Sequence, residues 1–244
     1  MDGPDEQHER PERRAQIVAH MPARYNPSLH LAIPTAIGLG VLVTALARLQ
    51  ANTLRPIELL AIPVTLLAAF GFEWRAHKSI LHRRLPLLGV LYERHELQHH
   101  VIYTDQDMAM RSKREWWFVL MPPYAIVLVF LTLVLPLAIV IERYVTTNVA
   151  MLVTATSMVF FLSYEWLHLA YHLPTDHPVG RLPLIAKLRE HHRRHHEPRL
   201  MKRWNFNVTV PVFDWLYGTT WSPAREEKFR AARQLRRATP KRAN

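Results

Sequence analysis

The stretch from Tyr144 to His172 reads YVTTNVAMLVTATSMVFFLSYEWLHLAYH. Its first 21 residues, Tyr144 to Tyr164, contain no Lys, Arg, Asp or Glu. At ~1.5 Å per residue, a helix of this length crosses a ~30 Å hydrocarbon layer. His168 and His172 follow four residues apart, so on a continuing helix both side chains point the same way. The stretch therefore predicts a membrane-spanning helix that presents two imidazoles at one end.

Three other stretches have the composition of membrane-spanning helices. Tyr25 to Ala47 contains 23 residues without a charge, and Trp117 to Ile141 contains 25. In the latter, Pro122, Pro123 and Pro136 are expected to bend the helix or trim its ends. Leu59 to Phe72 is apolar but only 14 residues long, which predicts either a second crossing or a re-entrant arm. Together the four stretches predict an all-α membrane protein with four transmembrane helices arranged as two hairpins.

The segments outside these stretches are polar, and their positive charges are distributed unevenly. Lys and Arg number 4, 8 and 16 in residues 1–24, 73–116 and 165–244, but only 2 and 1 in residues 48–55 and 142–146. Basic segments next to spans are retained on the cytoplasmic side of a membrane. Both termini and all histidine-rich segments are therefore predicted to be cytoplasmic, forming a helical cap near the membrane surface.

Eleven of the chain's 15 histidines lie in four short clusters within these segments. Neutral imidazole is a common ligand for zinc, iron, copper and nickel. Ten imidazoles exceed what one ion can bind, so we expect two ions to share one site. The predicted metal ligands are His77, His82, His95, His99, His100, His168, His172, His192, His195 and His196, with His191 as an additional candidate.

The spacing within the clusters suits two neighbouring metal positions. His95 and His99 are four residues apart and would share a helix face. His77 and His82 are five apart, so they converge only if the helix ends, bulges or tilts there. Adjacent histidines such as His99 and His100 lie ~100° apart around a helix, which allows each to bind a different ion.

Neutral ligands leave the charge of two divalent ions uncompensated. Nearby carboxylates are therefore expected to orient the rings by accepting hydrogen bonds from their free N–H groups. Several acidic residues flank the clusters. Glu73 and Glu165 are the preferred candidates because they lie at the ends of apolar spans, where a carboxylate without a role is costly.

The composition excludes several classes of protein. The chain has no cysteine, which excludes disulfides, thiolate zinc sites and iron–sulfur clusters. A net charge of +11 is compatible with nucleic-acid binding. The long uncharged stretches favour a cytoplasmic membrane face instead, so no nucleic-acid partner is expected.

The histidine clusters and their surroundings resemble the integral-membrane fatty acid hydroxylase and sterol desaturase superfamily. Glu73–His82 is similar to that family's first histidine box, Tyr164–His172 to its third and His192–His196 to its last. Asn205–Thr219 is similar to the segment that follows the last box. In one departure, three residues separate the first two histidines of the second box, His95–His100, where hydroxylases of this type often have two.

The resemblance implies an O2-dependent oxygenase with two iron ions, which zinc can replace in a purified sample. The implied reaction is C–H hydroxylation of a lipid or fatty acyl chain, with a sterol-type or carotenoid-type desaturase or hydroxylase as the alternative. Residues 25–221 would form the membrane-embedded catalytic domain, between a polar N-terminal tail (1–24), either flexible or a short surface helix, and a basic C-terminal tail (222–244).

Electrons are expected from a separate protein such as a ferredoxin or a b-type cytochrome, because the chain has no Gly-rich dinucleotide loop. The basic stretch Arg225 to Arg242 offers a docking surface for that donor or, alternatively, a contact with anionic lipid headgroups.

Two rival functions use the same histidines differently. A transition-metal transporter or metal-buffering membrane protein requires ionisable residues inside the spans to pass the ion, and these spans contain essentially none. A zinc-dependent lipid hydrolase requires a mixed ligand set and a general base. Clustering of histidine alone therefore favours the oxygenase.

Overall fold

A computed structural model describes residues 4–238 of the 244-residue chain, and the side chains of residues 12–235. The described residues form helices and connecting turns, with no β-strand. The first six helices are α1 Pro4–Ala19, α2 Pro27–Ala47, α3 Ala61–Ala76, α4 Gly89–Tyr92, α5 His100–Ile102 and α6 Trp116–Val119. The other six are α7 Ala125–Val129, α8 Leu135–Tyr144, α9 Thr147–Tyr171, α10 Pro183–His195, α11 Val212–Leu216 and α12 Pro223–Ala238.

Four helical segments are long and apolar enough to cross a membrane, which confirms the predicted class of fold. They are Pro27–Ala47, Pro56–Leu81, Ala125–Tyr144 and Thr147–Tyr171. The second is longer than its apolar run of sequence. A 3₁₀ turn over Pro56–Leu60 precedes α3, and a π-helical turn over His77–Leu81 continues it. It therefore has the full length of a crossing.

The third span begins later than its uncharged sequence does. The short helix α6 ends at Val119, and Pro122 and Pro123 separate it from α7. Proline lacks the N–H that would continue a helix, and it restricts the residue before it. A turn in which the Ala125 N–H donates to the Pro122 carbonyl at 2.7 Å then starts the spanning helix.

The bundle is built around α9. Half of its spanning window is buried inside the protein, against 17–28% for the other three spans. Small residues allow close packing at this centre, because Ala45 of α2, Ala138 of α8, and Ala150 and Ala155 of α9 lie in one cluster. The Thr146 side chain caps α9 by accepting a hydrogen bond from the Val149 N–H at 3.1 Å.

Much of the predicted N-terminal tail is helix α1, and its C-terminal half packs against the cap. Arg14 is buried, and its guanidinium donates to the Glu115 carboxylate at 2.7 Å and to the Ile102 carbonyl at 2.9 Å. A buried charge persists only when it is paired and hydrogen-bonded in this way. α1 thus secures the segment that follows α5.

Candidate metal centre

Ten buried histidines converge at the C-terminal ends of α3 and α9, where α5, α10 and the π-helical turn before α5 contribute the others. They form two adjacent groups of five, and within each group one ring nitrogen per residue lies within 4.8 Å of all the others. The first group is His77, His82, His95, His100 and His195. The second group is His99, His168, His172, His192 and His196. The structure therefore brings together all four sequence clusters at one end of the bundle.

Two π-helical turns bring histidines five residues apart into the same group. The turn over His77–Leu81 stacks the His77 and His82 rings with their centroids 5.1 Å apart. A second π turn over Glu93–His99 leads to His100, whose Nε2 lies 3.1 Å from Nε2 of His95. Single π turns often occur at functional sites. The first is the kind of bulge expected for His77 and His82, whereas the second pairs His95 with His100 in place of the α-helical pairing of His95 with His99.

Adjacent histidines divide between the two groups. His99 belongs to the second group although its ring stacks on His95 of the first at 5.2 Å, and its neighbour His100 belongs to the first. His195 and His196 divide in the same way, and the rings of His100 and His196 lie 4.3 Å apart across the boundary between the groups. The two groups are therefore in direct contact through imidazole rings.

Backbone carbonyls determine which ring nitrogen carries the proton. Nδ1 faces the carbonyl of Phe206 in His77, of Phe118 in His99 (3.0 Å), of Met108 in His172 (2.9 Å), of Trp204 in His195 (2.9 Å) and of Tyr103 in His196 (2.6 Å). A carbonyl oxygen only accepts, so each Nδ1 must donate. In a neutral ring, Nε2 is then left with an exposed lone pair.

These lone pairs face one another. Nine of the ten rings place Nε2 within 2.9–3.3 Å of another histidine's Nε2. His99 and His196, both of which donate through Nδ1, have their Nε2 atoms 3.1 Å apart. The tenth, Nε2 of His168, is buried without a hydrogen-bond partner among the described residues. Two lone pairs cannot hydrogen-bond to each other, so this donor set fits cations bound between the rings.

Burial favours the neutral, metal-binding form of the rings. Burial lowers the pKa well below 6.5 for the clustered histidines that lie outside the spans, and neighbouring histidines lower it further. These residues are His95, His99, His100, His172, His192, His195 and His196. Nitrogen ligands of this kind suit iron, zinc and other late first-row metals.

Glu96 is the carboxylate that contacts a ring of the site. One of its oxygens accepts a hydrogen bond from Nδ1 of His82, and the other accepts one from Nζ of Lys202 at 2.9 Å. Burial raises the pKa of Glu96, but the hydrogen bonds from His82 and Lys202 outweigh it and lower the pKa overall. Glu96 therefore compensates part of the charge of the site.

Glu73, a preferred candidate for orienting a ring, contacts the loop after α10 instead. Its carboxylate accepts hydrogen bonds from Nδ2 of Asn207, the N–H of Val208, and both the N–H and the hydroxyl of Thr209, at 2.7–2.9 Å. This loop also carries the Phe206 carbonyl that accepts from His77. Glu73 thus supports a ring through the backbone rather than by direct contact.

Glu165 also hydrogen-bonds to the backbone. It accepts a hydrogen bond from the Met121 N–H at 3.3 Å. Its other oxygen is buried without a partner among the described residues.

His191 lies outside both groups. Its Nε2 is 3.1 Å from Oδ2 of the buried Asp214. The structure therefore places this additional candidate with the loop that follows α10.

Asp214 organises that loop, a role that the sequence reasoning missed. Its carboxylate accepts hydrogen bonds from the N–H groups of Phe206 (2.9 Å) and Asn207 (2.8 Å) and from the Thr219 hydroxyl (2.6 Å). Asn205 begins the loop at a φ of +57°, which asparagine tolerates better than most residues. Asp214 and Asn207 lie in the stretch that resembled a known family, which was the available signal. A backbone carbonyl, by contrast, has no signature in sequence.

Comparison with known proteins agrees with this geometry. The profile of the family described as "Fatty acid hydroxylase" matches residues 62–219. The match covers well over half of the chain and includes all ten clustered histidines. No curated protein and no solved structure matches the chain.

Proposed function

Because the chain belongs to the fatty acid hydroxylase family, we propose that it is a membrane oxygenase that hydroxylates a C–H bond of a lipid or fatty acyl chain. Two iron ions bound by the ten clustered histidines would activate O2. The observation that carries the proposal is the convergence of ring nitrogens from two buried groups of five histidines, six of which donate through Nδ1 and so leave Nε2 unprotonated. Zinc, which does not change oxidation state, would occupy the same ligands without supporting the reaction.

The overall reaction balances as follows. One C–H bond, O2, two electrons and two protons give one C–OH group and one water. The protein's own groups hold the rings in one tautomer through carbonyls of the surrounding loops and exclude bulk water. His172, His192, His195 and His196 have no exposed surface. Fixing ring orientation through the distal nitrogen is a common way of tuning metal ligands.

The position of the site supports a lipid substrate. The histidines lie where two candidate spans end, so a chain rising out of the bilayer would reach them without crossing water. Next to α3, Phe213 of α11 packs against Gly71, while Trp215, Leu216 and Tyr217 are 58–66% exposed. Exposed aromatic and apolar side chains at the end of a span suit the membrane interface. We propose that this end faces the cytoplasm.

The proposal is tested by lipid profiling of cells that express the chain, grown under isotopically labelled O2. The expected product is a lipid heavier by one oxygen atom that carries the label. A product lighter by two hydrogens would instead identify a desaturase. His196→Ala should abolish the product while leaving membrane insertion unchanged, and Lys113→Ala is the matched active control. Product formation without O2, or by His196→Ala, would contradict the proposal.

A further inference from the structure

A basic surface covers the side of the metal centre formed by α10 and the chain after it. Residues 187–238 contain 13 Lys or Arg against five Asp or Glu. Here the Lys202 side chain is 65% exposed, and the Arg203 guanidinium lies 5.0 Å from the Trp204 ring and 4.9 Å from the Phe229 ring of α12. We call the exposed residues Lys202, Lys228 and Phe229, with the partly exposed Arg203, the 202–229 face, and Trp204 lies buried beneath it.

Two short paths of hydrogen bonds connect this face to the first histidine group. The Trp204 carbonyl accepts from Nδ1 of His195 at 2.9 Å. Nζ of Lys202 bonds to Glu96 at 2.9 Å, and Glu96 accepts from Nδ1 of His82. Each path crosses only one or two hydrogen bonds between the surface segment and a ring.

The second histidine group has no such connection through the Nδ1 contacts of the described residues. The Nδ1 atoms of three of its rings donate to the carbonyls of Phe118, Met108 and Tyr103. The side chains of these three residues are buried, as that of Trp204 is, but no ring of this group reaches an exposed Lys or Arg through a carboxylate among the described residues, as His82 does through Glu96. The first group is therefore the one that hydrogen bonds connect to the basic surface.

We propose that the 202–229 face docks an acidic one-electron carrier protein and that electrons enter at the first histidine group. The inference rests on the proposed function, which consumes two electrons for each O2. Two reduced carriers each lose one electron, and O2, the C–H bond and two protons become C–OH and water. Complementary charge would steer the carrier onto the face.

Anionic lipid headgroups are the other surface that would attract these charges. The face favours a carrier because the exposed Phe229 ring lies at its centre and packs edge to face on the buried Trp204 ring, with centroids 6.1 Å apart. Trp204 is also bonded directly to a predicted ligand through its carbonyl. Headgroup binding needs positive charge but requires neither of these features.

The test uses the iron-loaded full chain in nanodiscs of uncharged phosphatidylcholine, with an acidic plant-type [2Fe–2S] ferredoxin as the probe. Arg203→Glu and Lys228→Glu are the docking variants. Lys113→Glu is the matched control, since Lys113 is exposed but lies outside the face. We expect the docking variants to bind ferredoxin about tenfold more weakly at low salt and the control to bind normally. Lys228 is exposed, and among the described residues it makes no cation–π contact with either ring, so its variant tests charge without disturbing that packing.

Anaerobic reduction of the iron provides a second measurement. Reduction by ferredoxin should slow by a similar factor in both docking variants. Reduction by dithionite, which needs no docking surface, should keep its wild-type rate. Normal ferredoxin binding by both variants would overturn the proposal. Loss of binding to phosphatidylserine vesicles with unchanged ferredoxin binding would also overturn it and would assign the face to lipid.

The dithionite measurement also separates this inference from the proposed function. If the wild-type protein, reduced with dithionite, freed of excess dithionite and then exposed to O2, oxidises lipid while both docking variants bind ferredoxin normally, only the docking surface is wrong. If the dithionite-reduced wild type consumes no O2 and oxidises no lipid, the proposed function fails, and the need for a carrier fails with it.

Discussion

The His195 ring is held through Nδ1, which leaves Nε2 facing another ring. Its Nδ1 donates to the Trp204 carbonyl at 2.9 Å, and its Nε2 lies 3.0 Å from Nε2 of His82. The same arrangement recurs at His99 and His196, where the acceptors are also carbonyls. At the scale of single residues, a proposed ligand is therefore defined by the acceptor behind its ring as much as by the histidine itself.

His191 and His192 are neighbours in sequence with different surroundings, so they form a matched pair. We predict that His192→Ala weakens metal binding to the second group by at least ~10–100-fold. His191→Ala should keep both ions and cost about 1–2 kcal/mol of stability, because Asp214 loses one of several hydrogen bonds. Metal content by mass spectrometry checks both variants. Equal metal loss from the two would contradict the assignment.

Glu73 is surrounded only by donors, so an amide cannot replace its carboxylate. Its oxygens accept four hydrogen bonds from Asn207, Val208 and Thr209. In Glu73→Gln the new NH2 group would face a donor, and we expect a loss of about 1–3 kcal/mol. The measurement is thermal unfolding in detergent.

Glu93→Gln is the control for Glu73→Gln. Glu93 pairs with Arg84 on the surface at 3.0 Å, and exposed ion pairs contribute about 0–1 kcal/mol. An equal drop in melting temperature for the two variants would show that the buried donors do not require a carboxylate.

At the scale of helices, the two π turns set the register of the site. An ordinary α-helix would turn His77 and His82 to different sides, since five residues correspond to about 140° of excess rotation. The π turns over His77–Leu81 and Glu93–His99 each bring an i and i+5 pair into the first group. A local departure from α-helical geometry therefore builds half of the candidate metal centre.

Packing of α2 against the rest of the bundle depends on Gly38. A Cβ at this position would lie 2.9 Å from Cδ2 of Leu162 and 3.0 Å from Cδ1 of Ile126, whereas one at Gly40 would meet nothing within 4 Å. We predict that Gly38→Ala destabilises the protein by about 1–3 kcal/mol through overpacking. Gly40→Ala should be neutral or stabilising by up to ~1 kcal/mol.

Thermal unfolding in the same detergent compares these two α2 variants. The two glycines are only two residues apart, so differences in helix propensity cancel. A melting temperature for Gly38→Ala at or above that of Gly40→Ala would show that the close approach of α2 to α9 is not required.

At the scale of the whole molecule, four spans place every histidine cluster at one end. An odd number of crossings between the second and third clusters would have separated residues that the structure brings into contact, such as His99 and His196. The uneven distribution of Lys and Arg predicts that this end faces the cytoplasm.

The absence of cysteine makes that orientation directly testable. Single-cysteine variants at Asn52 and Lys113, both exposed, report on opposite ends of the bundle. A membrane-impermeant maleimide should label Asn52→Cys in intact cells and Lys113→Cys only after permeabilisation. Labelling of Lys113→Cys in intact cells would reverse the orientation.

The class of fold could be predicted from the sequence because the length of an uncharged stretch and the spacing of residues along a helix are local properties. The four spans were predictable for this reason. Their ends were less so, because prolines delay the start of the third span and helical turns at both ends lengthen the second. The clustering of histidine was equally visible, because few chemical roles other than metal binding call for ten imidazoles in short runs.

Tertiary structure alone decided how these parts meet. The division of the rings into two groups, the direct contact of Glu96 with His82 and the supporting position of Glu73 all depend on residues far apart in sequence. The same is true of the carbonyls that set the tautomers. Every residue has the same backbone carbonyl, whatever its side chain. Only the folded path of the backbone therefore determines which carbonyl accepts a hydrogen bond from which ring.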